Sequence, residues 1–247
     1  MTVFGDPTLT VLLFASLAAL TASLGVLPQA IRGRPPSASL GWSNALAAGL
    51  MLGVAYALIT TGLAEGVFEG GAGALMGMGI VRASHAVTDT TDLPLNELDG
   101  MGPAYGYQVV LVNTLHAAWE GVAIGVAMLV SLPFGISMAI ALAAHNIPEA
   151  MNLTTILVGR GVSLSHAAAL AVATNVNQVL LAVVTFAVVG VLPALRPWTV
   201  GFAAGALIYL VLVELLPEAY HQAGKTSIAM VTLVAMGVVV GLTGGAP

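Results

Sequence analysis

Long apolar stretches separated by short polar breaks run the length of the chain, and they predict helices and nothing else. A helix that crosses a bilayer needs about 20 mainly apolar residues. Residues 8–29 form the first such run, and the basic break Arg32-Gly-Arg34-Pro-Pro follows. Further runs cover 42–64, the short, glycine-rich 67–81, and then 105–130, 134–158, 164–192, 198–218 and 226–243. Residues 82–102 read as a polar loop, and Ser131-Leu-Pro133 and Gly159-Arg160-Gly161 read as tight breaks. The run 164–192 is polar at its middle, through Thr174, Asn175, Asn177 and Gln178. The expected fold is all-α: one polytopic membrane domain over residues 1–247, with eight transmembrane helices.

Composition agrees with this pattern. The chain is 58% hydrophobic and only 7% charged, whereas soluble domains carry about 25% charged residues. With no cysteine, disulfides and thiolate metal sites are both excluded. A thin net charge of −5 leaves no basic face for nucleic acid. The first run has Asp6 where a signal peptide carries positive charge, so it reads as a retained helix. Basic residues favour cytoplasmic loops. With the N-terminus outside, the cytoplasmic loops hold Arg32, Arg34, Arg82, Arg160 and Lys225, which leaves Arg196 as the outer basic residue. Eight spans then put both termini outside a plasma or inner membrane.

Two adjacent runs carry the chemistry. One contains His116-Ala-Ala-Trp-Glu120-Gly and the next His145-Asn-Ile-Pro-Glu149-Ala, the same His-x-x-x-Glu at an interval of 29 residues. Positions i and i+4 of a helix share a face about one turn apart, so each helix offers an imidazole and a carboxylate to one spot. A charged side chain at mid-membrane costs roughly 2.5–3.5 kcal/mol on insertion scales. Two such glutamates need a partner, and a divalent cation is the simplest. Imidazole with carboxylate suits borderline ions such as zinc, iron, cobalt and nickel. Pro148 removes one helical hydrogen bond beside the second motif, which suits a segment facing a ligand. Because the two helices are consecutive, the copies run antiparallel, as in the inverted repeats of many transporters.

These motifs resemble the core of the ZIP (Zrt/Irt-like) metal transporters and are most similar to the bacterial GufA-like branch. Ala48-Gly-Leu-Met51-Leu-Gly, Gly205-Ala-Leu-Ile-Tyr and Glu214-Leu-Leu-Pro-Glu218-Ala extend the likeness along the chain. The resemblance implies an eight-helix bundle that moves zinc and related divalent metals toward the cytoplasm by alternating access. Spans one, four, five and six would form the moving unit, a two-metal site would lie at the bundle centre, and two copies of the chain could pair as a homodimer. Carried over by residue, His116, Glu120, His145 and Glu149 match the first-metal set. Met51 matches a thioether near that metal, although packing is the alternative for it. The second-metal set is depleted of charge at Ala117, Asn146 and Gln178, which implies one well-held ion rather than two. Asn146 and Gln178 serve either as ligands or as hydrogen bonds between helices.

Other residues have weaker claims. Glu214, Glu218 and His221, at spacings of one helical face, read either as an exit relay or as a solvated helix end. Glu65 and Glu69 stand at the expected outer mouth, and His85 with Asp89 and Asp92 in the expected third loop. No enzyme is expected: an intramembrane zinc protease needs His-Glu-x-x-His, and neither motif has that order. The rival to a transporter is a metal-binding sensor or scaffold without flux. Beyond the transported cation, whether zinc, cadmium, iron or manganese, no cofactor is expected.

Overall fold

The computed structural model describes residues 6–90 and 104–243. Eleven α-helices account for most of these residues, and there are no strands among them. Asp6 caps α1 (Pro7–Thr21) by accepting from the Thr8 backbone N–H at 2.8 Å. Pro7 sits at the first turn, where its missing N–H costs nothing. A 3₁₀ turn, Ala22–Val26, joins α1 to the short α2 (Leu27–Arg32). The long α3 (Ser37–Glu65) ends at Gly66, and α4 (Val67–Thr88) begins directly after it. Next come α5 (Ala104–Val130) and α6 (Leu132–Gly159), turned at Ser131, whose hydroxyl accepts from the Phe134 N–H. After these follow α7 (Leu164–Thr174), α8 (Val176–Val191), α9 (Arg196–Leu210), α10 (Leu216–Gln222) and α11 (Lys225–Leu242).

Two elements differ from the sequence expectation. Helix α4 continues past residue 81 to Thr88, so His85 is helical and buried instead of lying in a loop. A hydropathy count stops at Arg82. The buried stripe Gly70, Gly73, Ala74, Gly77, Val81 and His85 keeps helical spacing straight through that charge, which points outward. The run 164–192 is two helices, broken at Asn175. There the Asn175 side chain donates to Ala171 O at 2.9 Å, a local bond that competes with the helix and favours a cap. Asp92, named above with His85, lies outside the described residues.

Six helical segments among the described residues are long and apolar enough to cross a membrane: Pro7–Arg32, Ser37–Glu65, Tyr105–Val130, Leu164–Val191, Pro193–Gln222 and Lys225–Leu242. Both α4 and α6 are long but more polar: α4 carries Glu69 and Arg82, and α6 carries His145, Asn146, Glu149 and Asn152. Large apolar side chains such as Leu75, Phe68, Ile140, Val184, Leu233 and Val238 are exposed around the outside, as expected of an integral membrane protein.

The helices fall into two groups. α4 packs on α9, and α3 packs on α11 and α9; α5 packs on α8 and α6, and α1 on α6 and α8. The groups meet along a seam where α3 faces α6 and α9 faces α5. Inside each group, backbones touch. A methyl group added to Gly205 would lie 2.0 Å from Ala74 O, and one added to Gly121 would lie 2.3 Å from Gln178 O. Small residues permit such approach where lipid supplies no hydrophobic drive between helices.

Candidate metal centre

The two His-x-x-x-Glu motifs meet midway along α5 and α6, beside the seam. His145 and Glu120 are fully buried, and Glu149 and His116 nearly so. His145 Nε2 lies 3.1 Å from Glu120 Oε1 and 3.7 Å from Glu149 Oε2. One ligand atom from each of Glu120, His145 and Glu149 falls within 4.8 Å of the other two. The other His145 nitrogen, Nδ1, lies 3.3 Å from Ala47 O, across the seam on α3. A carbonyl only accepts, so Nδ1 donates and a neutral His145 turns its Nε2 lone pair toward a carboxylate. Two acceptors 3.1 Å apart in a buried site need a cation between them, either a proton or a metal ion. Glu120 Oε1 and Glu149 Oε1 also lack an aligned hydrogen-bond donor.

The second oxygen of Glu120 is occupied differently. Gln178 Nε2 donates to Glu120 Oε2 at 2.9 Å, and Asn146 Nδ2 donates to Gln178 Oε1 at 3.1 Å and to Ala18 O at 2.9 Å. An ionised carboxylate only accepts, so the Gln178 amide must turn its nitrogen to Glu120. Gln178 and Asn146, left open between ligation and hydrogen bonding by the sequence, here make hydrogen bonds. Met51 is buried in the apolar core of α3. Trp119 packs edge-on against Phe202, ring centroids 5.7 Å apart.

His116 stands at the edge of the trio. Its Nδ1 lies 3.5 Å from Glu149 Oε1, while its Nε2 lies 2.9 Å from Glu214 Oε2. Glu214 in turn reaches His85 Nε2 at 3.1 Å through its other oxygen. Sequence reasoning missed His85 as a member of this cluster; its place on the buried stripe of α4 was the available signal. Glu214 lies in a π-helical turn, Val211–Leu215, between α9 and α10. The expected face of Glu214, Glu218 and His221 is divided there. Glu214 joins the histidines, Glu218 accepts from Gln222 beside a cavity of about 130 Å³, and His221 is exposed. That cavity is also lined by Arg34, Asn44 and Asn152. Asn44 and Asn152, bonded to each other, separate it from a pocket of about 30 Å³ against His116 and Glu149. At the far end of α3, Glu65 pairs with Arg196 at 2.9 Å.

A bundle of apolar helices around buried imidazoles and carboxylates defines an integral membrane protein with a candidate metal centre. A family profile described as "ZIP Zinc transporter" matches residues 90–243. The chain belongs to the ZIP family. It is 30% identical over 229 residues to a putative zinc transporter of Arabidopsis thaliana, covering 89% of this chain and 36% of that protein. It is 34% identical over 116 residues to Zinc transporter GufA of Myxococcus xanthus, covering 47% of this chain and 45% of that protein. To human Zinc transporter ZIP13 it is 30% identical over 145 residues, covering 55% and 39%. The chain thus spans less than half the length of each of these relatives.

Proposed function

We propose that this chain carries a divalent metal cation, zinc foremost, across a membrane toward the cytoplasm by alternating access. The observation that carries this is the His145 Nε2 lone pair set 3.1 Å from the Glu120 carboxylate, with Glu149 beside it, in a buried place between two packed groups of helices. Glu120, His145 and Glu149 hold the ion, and His116 completes the set from its edge. The named activity of the relatives supports the same reading. Two imidazoles and two carboxylates also accept cadmium, iron or manganese, with geometry and supply deciding among them.

The centre holds one ion. Gln178 donates its amide to the second oxygen of Glu120, and Asn146 supports Gln178, so two neutral side chains fill the space beside the trio. Eight helical rods (α1 with α2, α3, α4, α5, α6, α7 with α8, α9 with α10, and α11) cross the bilayer, and α6 turns His145, Asn146 and Glu149 inward. The charge pattern puts both termini outside a plasma or inner membrane, with Glu65 and Arg196 at the outer end. The ion leaves past the Asn44–Asn152 pair toward Glu218 and His221. Two copies of the chain pair as a homodimer.

Purified protein in liposomes should take up zinc saturably, and Glu149→Ala should abolish uptake while retaining its metal-free unfolding temperature. Comparing zinc, cadmium, iron and manganese would rank the substrates. Metal binding without uptake of any of the four would overturn the transport reading in favour of a sensor.

A further inference from the structure

On the bilayer side of the seam the two helix groups do not close on each other. α8 belongs to one group and α4 and α9 to the other, and neither α4 nor α9 makes an extended contact with α8 among the described residues. Between them lies a groove of about 330 Å³. Val122 on α5 and Phe202 on α9 form its floor, and Met76 on α4 and Val184 and Val188 on α8 form its walls. Val122 is buried, whereas Met76, Val184 and Val188 are exposed, so the groove opens sideways onto the lipid face of the bundle.

One end of the groove lies near a membrane–water boundary. Leu195 and Trp198 stand there. Trp198 is held edge-on by Phe68, ring centroids 5.8 Å apart, and the intervening Arg196 pairs with Glu65 at 2.9 Å. Tryptophan beside basic residues is characteristic of that boundary. From Leu195 to Phe202 is two helical turns, about 10 Å, or about two-thirds of the hydrocarbon depth of one leaflet.

The chemistry of the lining decides what can fill it. Apart from the hydroxyls of Thr185 and Thr199 the lining is apolar, and Thr199 already donates to Leu195 O at 2.9 Å. A settled water needs about two to four polar partners, so water is a poor occupant. Left empty, the walls would forfeit their dispersion contacts. A helix is about 10–12 Å across with its side chains, too wide for a groove of this volume and length. A hydrocarbon chain is slender and apolar, and the bilayer supplies it at high concentration.

We propose that this groove is a lipid site, in which one acyl chain of a membrane phospholipid lies between the two helix groups. Met76 and Phe202 of one group and Val184 and Val188 of the other form the faces against which the chain packs. The lipid thus completes the seam on its bilayer side with a part that can deform and withdraw. The site rests on the chain being an integral membrane protein, and its effect on movement rests on the transport reading above. When one group moves against the other, a fluid chain reshapes with the groove, which a side chain fixed in the same place does not.

The test uses the full chain and phosphatidylcholine as the probe. In detergent, native mass spectrometry should count one phospholipid fewer per chain on Val184→Phe/Val188→Phe, whose rings fill the groove, than on wild type. Met76→Trp fills it from the opposite wall and should lose the same lipid, so either variant decides if the other fails to fold. Leu233→Phe, on the exposed face of α11, should keep the wild-type number. Equal lipid content in wild type and a folded groove-filling variant would overturn the site. Because the chain has no cysteine, Val188→Cys adds a single thiol, and disulfide-linked dimers on oxidation would overturn the lipid in favour of a second copy. In phosphatidylcholine liposomes the filled variant should take up zinc several-fold more slowly than wild type while binding as much of it. An unchanged rate would overturn the link to movement. If wild type holds the lipid yet takes up no zinc, the transport reading falls and the lipid site stands.

Discussion

Within each helix group backbones approach closely at glycines, whereas along the seam side chains bridge the two groups. Between α4 and α9, methyl groups added to Gly77 and Gly205 would lie 2.1 Å from Phe202 O and 2.0 Å from Ala74 O. Between α3 and α11, one added to Gly49 would lie 2.3 Å from Thr232 O. None of these pairs can slide without backbone collision. The seam is built from His145 against Ala47 O, Asn152 against Asn44, Trp119 against Phe202 and His116 against Glu214. Long side chains can change rotamer and partner, so the seam is where the molecule can move. Every charged or amide group of the candidate centre lies on it or one helix turn away. Rigid groups and a polar seam are what movement of one group against the other requires.

The sharpest way to break this contrast is to spoil one rigid interface. Gly205→Ala should destabilise the protein by about 1–3 kcal/mol or more, because the new methyl meets backbone that cannot move aside. Gly79 on α4 has nothing within 4 Å of an added methyl, and Gly79→Ala should change stability by no more than about 0.5 kcal/mol. Unfolding in detergent, followed by circular dichroism, would compare the two. Equal effects would mean that the close helix contact is not what holds α4 to α9.

The next largest effect belongs to Gln178. Gln178→Leu strips the donor from Glu120 Oε2 and the acceptor from Asn146 Nδ2, and leaving buried groups unpaired costs about 1–3 kcal/mol. Gln178→Glu is more telling, because it sets a second carboxylate against Glu120. Metal-free protein should lose stability through like-charge repulsion, and added zinc should restore it by more than in wild type. A variant that zinc stabilises no more than wild type would contradict the view that a neutral amide limits the centre to one ion.

How much of this could be read from the sequence depended on the physical signal each feature leaves. The His-x-x-x-Glu pairs are legible because helical periodicity fixes i and i+4 on one face, and an apolar background makes every charge conspicuous. Gln178 was legible only through resemblance, since an amide in a polar stretch looks like any interhelical hydrogen-bonder. His85 was hidden because the apolar run ends at Arg82, whereas packing carried α4 on to Thr88. The π-helical turn left one indirect sign, Pro217, which cannot donate to Val213 O within the turn. Val211 to Leu215 itself has no proline or glycine, and the turn separates Glu214 from Glu218, which lies beside a different cavity. The Asn44–Asn152 contact joins residues 108 positions apart, and no local pattern encodes that.

Smaller effects should come from the seam's amides. Asn152→Ala removes the partner of Asn44, which retains a contact to Gln222 Oε1 at 3.2 Å, so the loss should be about 1 kcal/mol. The informative readout is the uptake rate, because this pair stands between the two cavities beside His116 and Glu218. If the pair closes the path, Asn152→Ala should speed release from the centre without altering zinc affinity. Stopped-flow release into chelator would show it, and an unchanged release rate would mean that the ion leaves by another route.

The smallest effect should be at Glu65 and Arg196, where the contrast makes its least intuitive demand. This is a well-formed ion pair between oppositely charged side chains, at 2.9 Å. Yet it joins α3 to α9, two helices of the same group already held by close packing. The Arg196 side chain is 41% exposed and that of Glu65 20%, so water screens the attraction and exposed pairs of this kind contribute about 0–1 kcal/mol. Glu65→Gln should therefore leave unfolding and zinc uptake close to wild type, even though it removes a charge from the proposed outer end. A large drop in uptake at low ionic strength, recovered at high salt, would show instead that Glu65 draws cations toward the entrance. A large drop in stability would show that charge, more than glycine packing, holds this group of helices together.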